Sequence, residues 1–262
     1  MEQEGRRLTL TVAEAWDGEK VDTLLRRELG LSGTVIKRVK WREDGILLDG
    51  VRAITGQRAA AGQILSVRVD EPERTADIPP EPGPLEVVYE DWDLLVVNKA
   101  PGVRVHPGPG QSGDTLCNHI AYYYRQRGER AGVHPVQRLD RGTSGLLVTA
   151  KHPHAQERLK RQLHTPDFRR IYRAVCDGIP EPRQGRVEAP IGRVDGSLIQ
   201  RRVHMAWMGC PLTGDFLYGA ENRAVITRPA LHAAELFLTH PITGEPLHWT
   251  APLPADMAGL LK

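Results

Sequence analysis

Between Asp70 and Pro84 the sequence carries five prolines. Proline fixes φ and has no amide hydrogen to donate, so this stretch reads as an extended connector and not as the interior of a helix or sheet. It divides the 262 residues into a small module over 18–70, a linker over 71–84 and a larger domain over 85–262. Both folded parts are long enough to bury a core.

In the first part, Val21, Leu24, Leu25 and Leu29 recur at helical spacing and predict a helix over Val21–Leu31. A second short helix is expected over Thr34–Trp41. Two strands follow, Ile46–Asp49 with a turn at Gly50, and Ile64–Val69 behind a turn at Gly62. Arg26, Arg27, Lys37, Arg38, Lys40 and Arg42 crowd the helical segment against Glu28 as the single acidic counterweight, so phosphate contact is expected there.

Beyond the linker, Leu85–Glu90 and Leu94–Lys99 read as strands around an acidic turn, Asp91-Trp92-Asp93, and a helix is expected over Thr115–Arg127. Gln156–Leu163 reads as a solvated basic helix, with His152, His154 and His164 around it at no metal-like spacing. Strands and helices alternate with hairpins and without a regular strand–helix–strand beat. That predicts an α+β fold with a mixed, mainly antiparallel sheet.

The net charge is only +2, yet residues 101–176 hold 13 basic and 5 acidic side chains and six of the ten histidines. A basic stretch inside a near-neutral chain is the footprint of a polyanion-binding face. The longest apolar runs, such as Leu94–Val97, are far too short for a membrane span, and the N-terminus has no apolar signal segment. Cys117, Cys176 and Cys210 stand far apart without metal spacing. The chain therefore reads as cytoplasmic, with reduced thiols and no bound metal.

The most informative stretch is Arg138-Leu139-Asp140-Arg141, which runs into Gly142-Thr143-Ser144-Gly145 and an apolar strand at Leu146–Val148. Flanking arginines favour the charged form of a carboxylate, and glycines let a backbone approach a ligand closely. An ionised aspartate on such a loop is a candidate nucleophile or base. Gly142–Gly145 lacks the spacing of a serine-hydrolase elbow, and no phosphate-binding GxxxxGK[ST] loop is present.

Arg138–Gly145 closely resembles the catalytic-aspartate motif of the RluA family of RNA pseudouridine synthases. Leu94–Gly110, Arg170–Ala174, Arg202–Ala206, Pro211–Asp215, Leu217–Gly219, Ala230–Ala233 and His240–Leu247 resemble further blocks of that family in the same order, over residues 85–257. Residues 18–70 resemble, less specifically, the small RNA-binding module of a small-subunit ribosomal protein. Gln137 stands where the family usually has histidine, and an amide still donates and accepts.

The resemblance implies a cofactor-free isomerisation of a uridine in ribosomal or transfer RNA, flipped out of its stack to reach the site. It makes Asp140 the catalytic residue, attacking or deprotonating the ribose as the glycosidic bond breaks. The freed uracil then turns and rejoins the sugar through carbon 5. It also implies that Tyr172 stacks on the base, Arg202 pairs with Asp140, Leu231 walls the pocket, and Arg138 and Arg141 help bind substrate. RNA is the implied partner and a monomer the expected state. Between the blocks that adjoin near 193–204 the family carries strands this chain lacks, roughly 30–45 residues by ordinary strand and loop lengths. A rival reading follows: an RNA-binding protein of the same descent that lost catalysis with those strands.

Overall fold

The computed structural model describes residues 5–70, 78–108, 113–129, 131–187, 200–219 and 225–261. The first half of the linker, 71–77, and most of the junction, 193–199, lie outside the described residues.

The first part holds Arg7–Thr11 (β1), helices Val21–Arg27 (α1) and Gly33–Val39 (α2), and strands Ile46–Leu48 (β2), Val51–Arg52 (β3) and Ile64–Arg68 (β4). The strands form one antiparallel sheet in the order β1-β4-β2-β3. Leu65 and Val67 alternate into a core with Leu8, Ile46 and Leu48, which the apolar faces of α1 and α2 close. The sheet thus begins before residue 18. Only Leu8 of β1 is buried, too brief an alternation to mark a strand in the sequence. Helix α1 stops short of Leu31 because Gly30 adopts φ +66° and turns the chain toward α2. Helix α2 starts at Gly33, where the Ser32 hydroxyl accepts from the Val35 amide at 3.3 Å.

The second part holds strands Val87–Glu90 (β5), Leu94–Lys99 (β6), His134–Pro135 (β7), Ser144–Ala150 (β8), Arg169–Ala174 (β9), Leu231–Thr239 (β10) and Pro246–Thr250 (β11). Its helices are Leu116–Gln126 (α3), Pro153–Gln162 (α4), Gln200–Trp207 (α5) and Ala255–Ala258 (α6). The sheet runs β11-β10-β8-β6-β5, with β7 on β8 and β9 on β10. Only the β8–β10 pairing is parallel among the described strands, so the expected α+β fold with a mainly antiparallel sheet is what forms.

Side chains of a strand alternate between faces. Leu95, Val97 and Leu147 face α3, meeting Leu116, Cys117 and Ile120. Leu94, Val96, Leu146 and Val148 face α4, meeting Ala155 and Leu159. Helix α4 is basic but not simply solvated, as its sequence suggests. It starts at Pro153, and His152 caps it: Nδ1 accepts from the Ala155 amide at 3.2 Å and Nε2 donates to Asp93 at 2.9 Å. His154 is buried as well, and burial pushes its pKa down to about 4.

Candidate active site

Four strands line up at one end of the second sheet. Lys99 stands opposite Gly145, Gly145 opposite Ala233, and Ala233 opposite Tyr172. Directly opposed residues share a face, so Lys99, Ala233 and Tyr172 lie on the α3 side, in a row roughly 14 Å long by ordinary strand spacing. Gly145 has φ +111°, and a Cβ there would collide with the Ala233 backbone. Glycine is what lets β8 and β10 close in parallel.

Just ahead of β8 the chain turns, with the Thr143 amide donating to the Asp140 carbonyl at 3.1 Å. Arg138, Asp140 and Arg141 are exposed, whereas Leu139 and Thr143 are buried beneath them. Two buried cations grip this loop by its backbone. Lys99, 1% exposed, donates from Nζ to the carbonyls of Ala100 and Val103 at 2.8 Å and reaches that of Arg141 at 3.4 Å. Arg228 approaches separately. Its Nη1 donates to the Gly142 carbonyl at 3.1 Å and to those of Pro229 and Leu231 at 3.3 Å. Its Nε and Nη2 hold the Asp256 carboxylate at 2.7 and 2.9 Å.

The loop is also zipped to its neighbour. Arg141 Nε donates to the Gly102 carbonyl at 2.9 Å, and the Gly102 amide donates to the Arg141 carbonyl at 2.7 Å. Burial, then the charge of Arg228, drives the Lys99 ammonium down to a pKa of about 7 against the opposing charge of Asp140. Arg104 and Arg141 line a cavity of about 230 Å³ with Gly102, Gly113 and Asp114. Burial, then the charges of Arg138 and Lys160, depress His106, whose Nδ1 lies 3.5 Å from Cys117 Sγ. Burial raises that thiol to about 12, which leaves it without nucleophilic character near neutrality.

Tyr172 is half-buried against the α3-side core. Leu231 is buried, pairs with Ala174, and lies on the same face as Tyr172; its carbonyl shares Arg228 with that of Gly142. The fold therefore brings the Asp140 loop, Tyr172 and Leu231 to one end of one sheet face. The amide of Gln137, at the base of the loop, is buried and has no hydrogen bond among the described residues.

Arg202 does not do what the resemblance implies. Its guanidinium forms a two-pronged ion pair with Asp215, which is fully buried, and lies 5.4 Å from the rings of Phe216 and Tyr218. A carboxylate sealed from water needs a cation beside it, and Asp215 claims this one. Among the described residues no cation forms an ion pair with Asp140. What the sequence does not reveal is Lys99, Arg228 and Asp256. A lysine ending an apolar strand and an arginine beside Pro229 both look like surface residues, and only the tertiary fold turns them inward.

In the first part, Arg26 donates to Asp22 at 2.6 and 3.2 Å, so Glu28 is not the single counterweight on that helix. Arg27 lies 3.4 Å from Glu28. Arg42 turns toward the Asp70 carbonyl at 3.1 Å, where burial lowers its pKa. Lys37 and Arg38 are exposed on α2, and the Lys40 ammonium sits 4.8 Å from the centre of the Trp41 ring.

Among the described residues, Asp91, Asp93 and His240 bring ligand-type atoms within 4.8 Å of one another. They already satisfy each other and their neighbours. His240 Nε2 donates to Asp91 at 3.0 Å, Tyr89 donates to it at 2.7 Å, and Arg6 and His152 take up Asp93 at 2.9 Å. Burial alone would raise Asp91, but the hydrogen bonds from His240, Tyr89 and two amides bring it down to about 2. No described helix is long and apolar enough to cross a membrane.

Residues 93–216 match the family described as RNA pseudouridylate synthase. An uncharacterised RNA pseudouridine synthase of Bacillus subtilis, YhcT, is 33% identical across 100% of this chain and 99% of its own length. That alignment runs over 303 residues, longer than this chain, so the relative carries stretches without a counterpart here. Ribosomal large subunit pseudouridine synthase D of Yersinia pestis is 32% identical over 97% of this chain and 94% of its own. The structure of human RNA pseudouridylate synthase domain containing 4 superposes with a TM-score of 0.53 at 20% identity, over 67% of this chain and 91% of that one. It shares the fold.

Proposed function

The chain belongs to the RNA pseudouridine synthase family, and from that premise we propose that Asp140 is the catalytic carboxylate of this isomerase. The observation that carries the reading is the convergence of the Asp140 loop, Tyr172 and Leu231 at the end of the Lys99–Gly145–Ala233–Tyr172 row. An exposed aspartate on a fixed backbone is placed to meet a nucleotide brought from outside.

In the reaction, the bond from uracil N1 to the ribose breaks and one from C5 forms. The C5 proton leaves and N1 gains one, so nothing is oxidised or added. The target uridine leaves its stack at a cost of a few kcal/mol. Asp140 attacks the ribose or takes a proton from it, and Tyr172 stacks on the uracil as it turns against Leu231. Arg104 and Arg141, around their cavity, suit a phosphate beside the flipped nucleotide. Lys99 and Arg228 keep the loop carrying Asp140 in place, so an ion pair from Arg202 is not required for its position.

The name of the relative from Yersinia pestis supports ribosomal RNA of the large subunit as the substrate, and hence action in the cytoplasm. Residues 18–70, together with β1 ahead of them, act as an RNA-holding module, the linker spans 71–84, and the stretches absent from this chain fall near 193–204. Relatives named as synthases along the whole chain do not favour the rival reading of a binder without catalysis.

The test is mapping of pseudouridine in ribosomal and transfer RNA from cells with and without this protein, and with Asp140→Ala in its place. One or more ribosomal positions should lose pseudouridine in the deletion strain and in the Asp140→Ala strain alike. Sites that Asp140→Ala restores would overturn the assignment.

A further inference from the structure

Trp41 lies just past the end of α2 and is 76% exposed, with no part in the first core. Lys40 before it keeps helical dihedrals, φ −60° and ψ −22°. Trp41 therefore falls four residues after Lys37 on the same face of the turn. One flank of the indole is marked by the Lys40 ammonium, 4.8 Å from the ring centre, a cation–π contact that holds the ring without hiding it. Among the described residues, neither Lys37 nor Lys40 forms an ion pair with a carboxylate.

An indole is a large apolar surface, and leaving it in water forgoes the gain of burial. The surroundings narrow what covers it. An apolar protein surface would bury Lys37 and Lys40 without partners, which is costly. A nucleobase has a flat π-face for the indole and phosphates on either side for the lysines. Only an unpaired base offers that face, because duplex bases hide theirs in their own stack.

We propose that Trp41, flanked by Lys37 and Lys40, is a stacking platform for an unpaired base of the RNA substrate. This rests on the reading of the chain as an RNA-modifying enzyme. It deepens that reading by giving the module a preference for single-stranded or looped RNA. Lys37 and Lys40 hold the neighbouring phosphates, and Trp41 contributes the contact that salt does not screen.

The test uses the full chain and two probes, a short fluorescent single-stranded RNA of mixed sequence and the same strand annealed to its complement. Trp41→Ala should bind the single strand about tenfold more weakly, in line with the loss of one stacked base. The slope of affinity against salt should stay the same, since no phosphate contact is lost. Trp41→Phe should recover most of the affinity, and Lys37→Ala should flatten the salt slope. Unchanged affinity in Trp41→Ala, or equal loss on strand and duplex, overturns the platform while leaving the enzyme reading standing. Failure of the unaltered protein to bind either probe, together with no pseudouridine lost on its deletion, overturns both.

Discussion

The ammonium of Lys99 lies 3.4 Å from the carbonyl oxygen of Arg141, so a buried cation touches the backbone one residue past the proposed catalytic carboxylate. With its shorter bonds to Ala100 and Val103, it ties the end of β6 to the Asp140 loop. Lys99→Met removes these donors and leaves carbonyls without partners, at a cost of about 1–3 kcal/mol. A displacement of about 1 Å at a reacting group costs on the order of 100-fold in rate. Single-turnover pseudouridine formation should therefore fall steeply while RNA affinity stays within about twofold. Equal losses in rate and affinity would count against a positioning role.

The same residue sets a pH dependence. Lys99 gives up its proton near pH 7 in the folded state and near 10.5 in the unfolded chain. Between those values the unfolded state binds more protons, so this group's contribution to stability rises with pH, by up to about 1.4 kcal/mol per unit. Below pH 7 both states carry the proton and the folded state bears the full cost of burying it. Urea unfolding across this window should show the unaltered protein gaining stability relative to Lys99→Met. Catalysis should move the other way, because a neutral amine has two hydrogens for three carbonyls. A stability difference that stays flat with pH would sink the assignment.

Arg228 and Asp256 make a second clamp that can be loosened by degrees. Asp256→Asn keeps one hydrogen bond but no charge, and should slow turnover several-fold with a modest loss of stability. Arg228→Met strips donors from three carbonyls and should lower stability by about 2–4 kcal/mol. Thermal melting and turnover of both variants check the ranking. Turnover unaffected in Asp256→Asn would show that the clamp does not reach Asp140.

Arg202 is expected to matter for folding and not for chemistry. Arg202→Ala strands the fully buried Asp215 carboxylate, a loss of about 3–5 kcal/mol. The double variant Arg202→Met with Asp215→Leu removes both charges and should recover much of that loss. If the double variant regains stability but stays inactive, Arg202 has a role at Asp140 that its present pairing does not suggest.

Gly145→Ala should be among the most damaging single substitutions in the chain. It combines a backbone angle of +111° with a collision against Ala233, and the parallel contact between β8 and β10 rests on two residue pairs there. A soluble Gly145→Ala protein with normal melting and turnover would contradict the close approach of these strands.

What could be read from the sequence follows a physical divide. Local periodicity marked α3, β6 and β8 to within a few residues, because Leu94–Lys99 and Leu146–Val148 carry the apolar runs of buried strands. Asp140 stood out through its arginine and glycine neighbours, which are local features too. The partners of Arg202, the inward turn of Lys99 and the tie from Arg228 to Asp256 depend on residues far apart in the chain. Charge type alone gives no clue to whether a cation meets water, a carboxylate or a carbonyl. Likewise β1 carries too little alternation to announce itself, and gains its identity from pairing with β4.

The direct pairing of β9 with β10 makes one side of the site independent of the chain that joins these two strands. Residues Arg169–Ala174 hydrogen-bond to Leu231–Phe237 with no strand between them. Whatever the length of the intervening connection, the distance from Tyr172 to Gly145 stays two strand spacings. A sheet laid out in this way tolerates a shorter or longer connection there and keeps the row from Lys99 to Tyr172 in the same geometry.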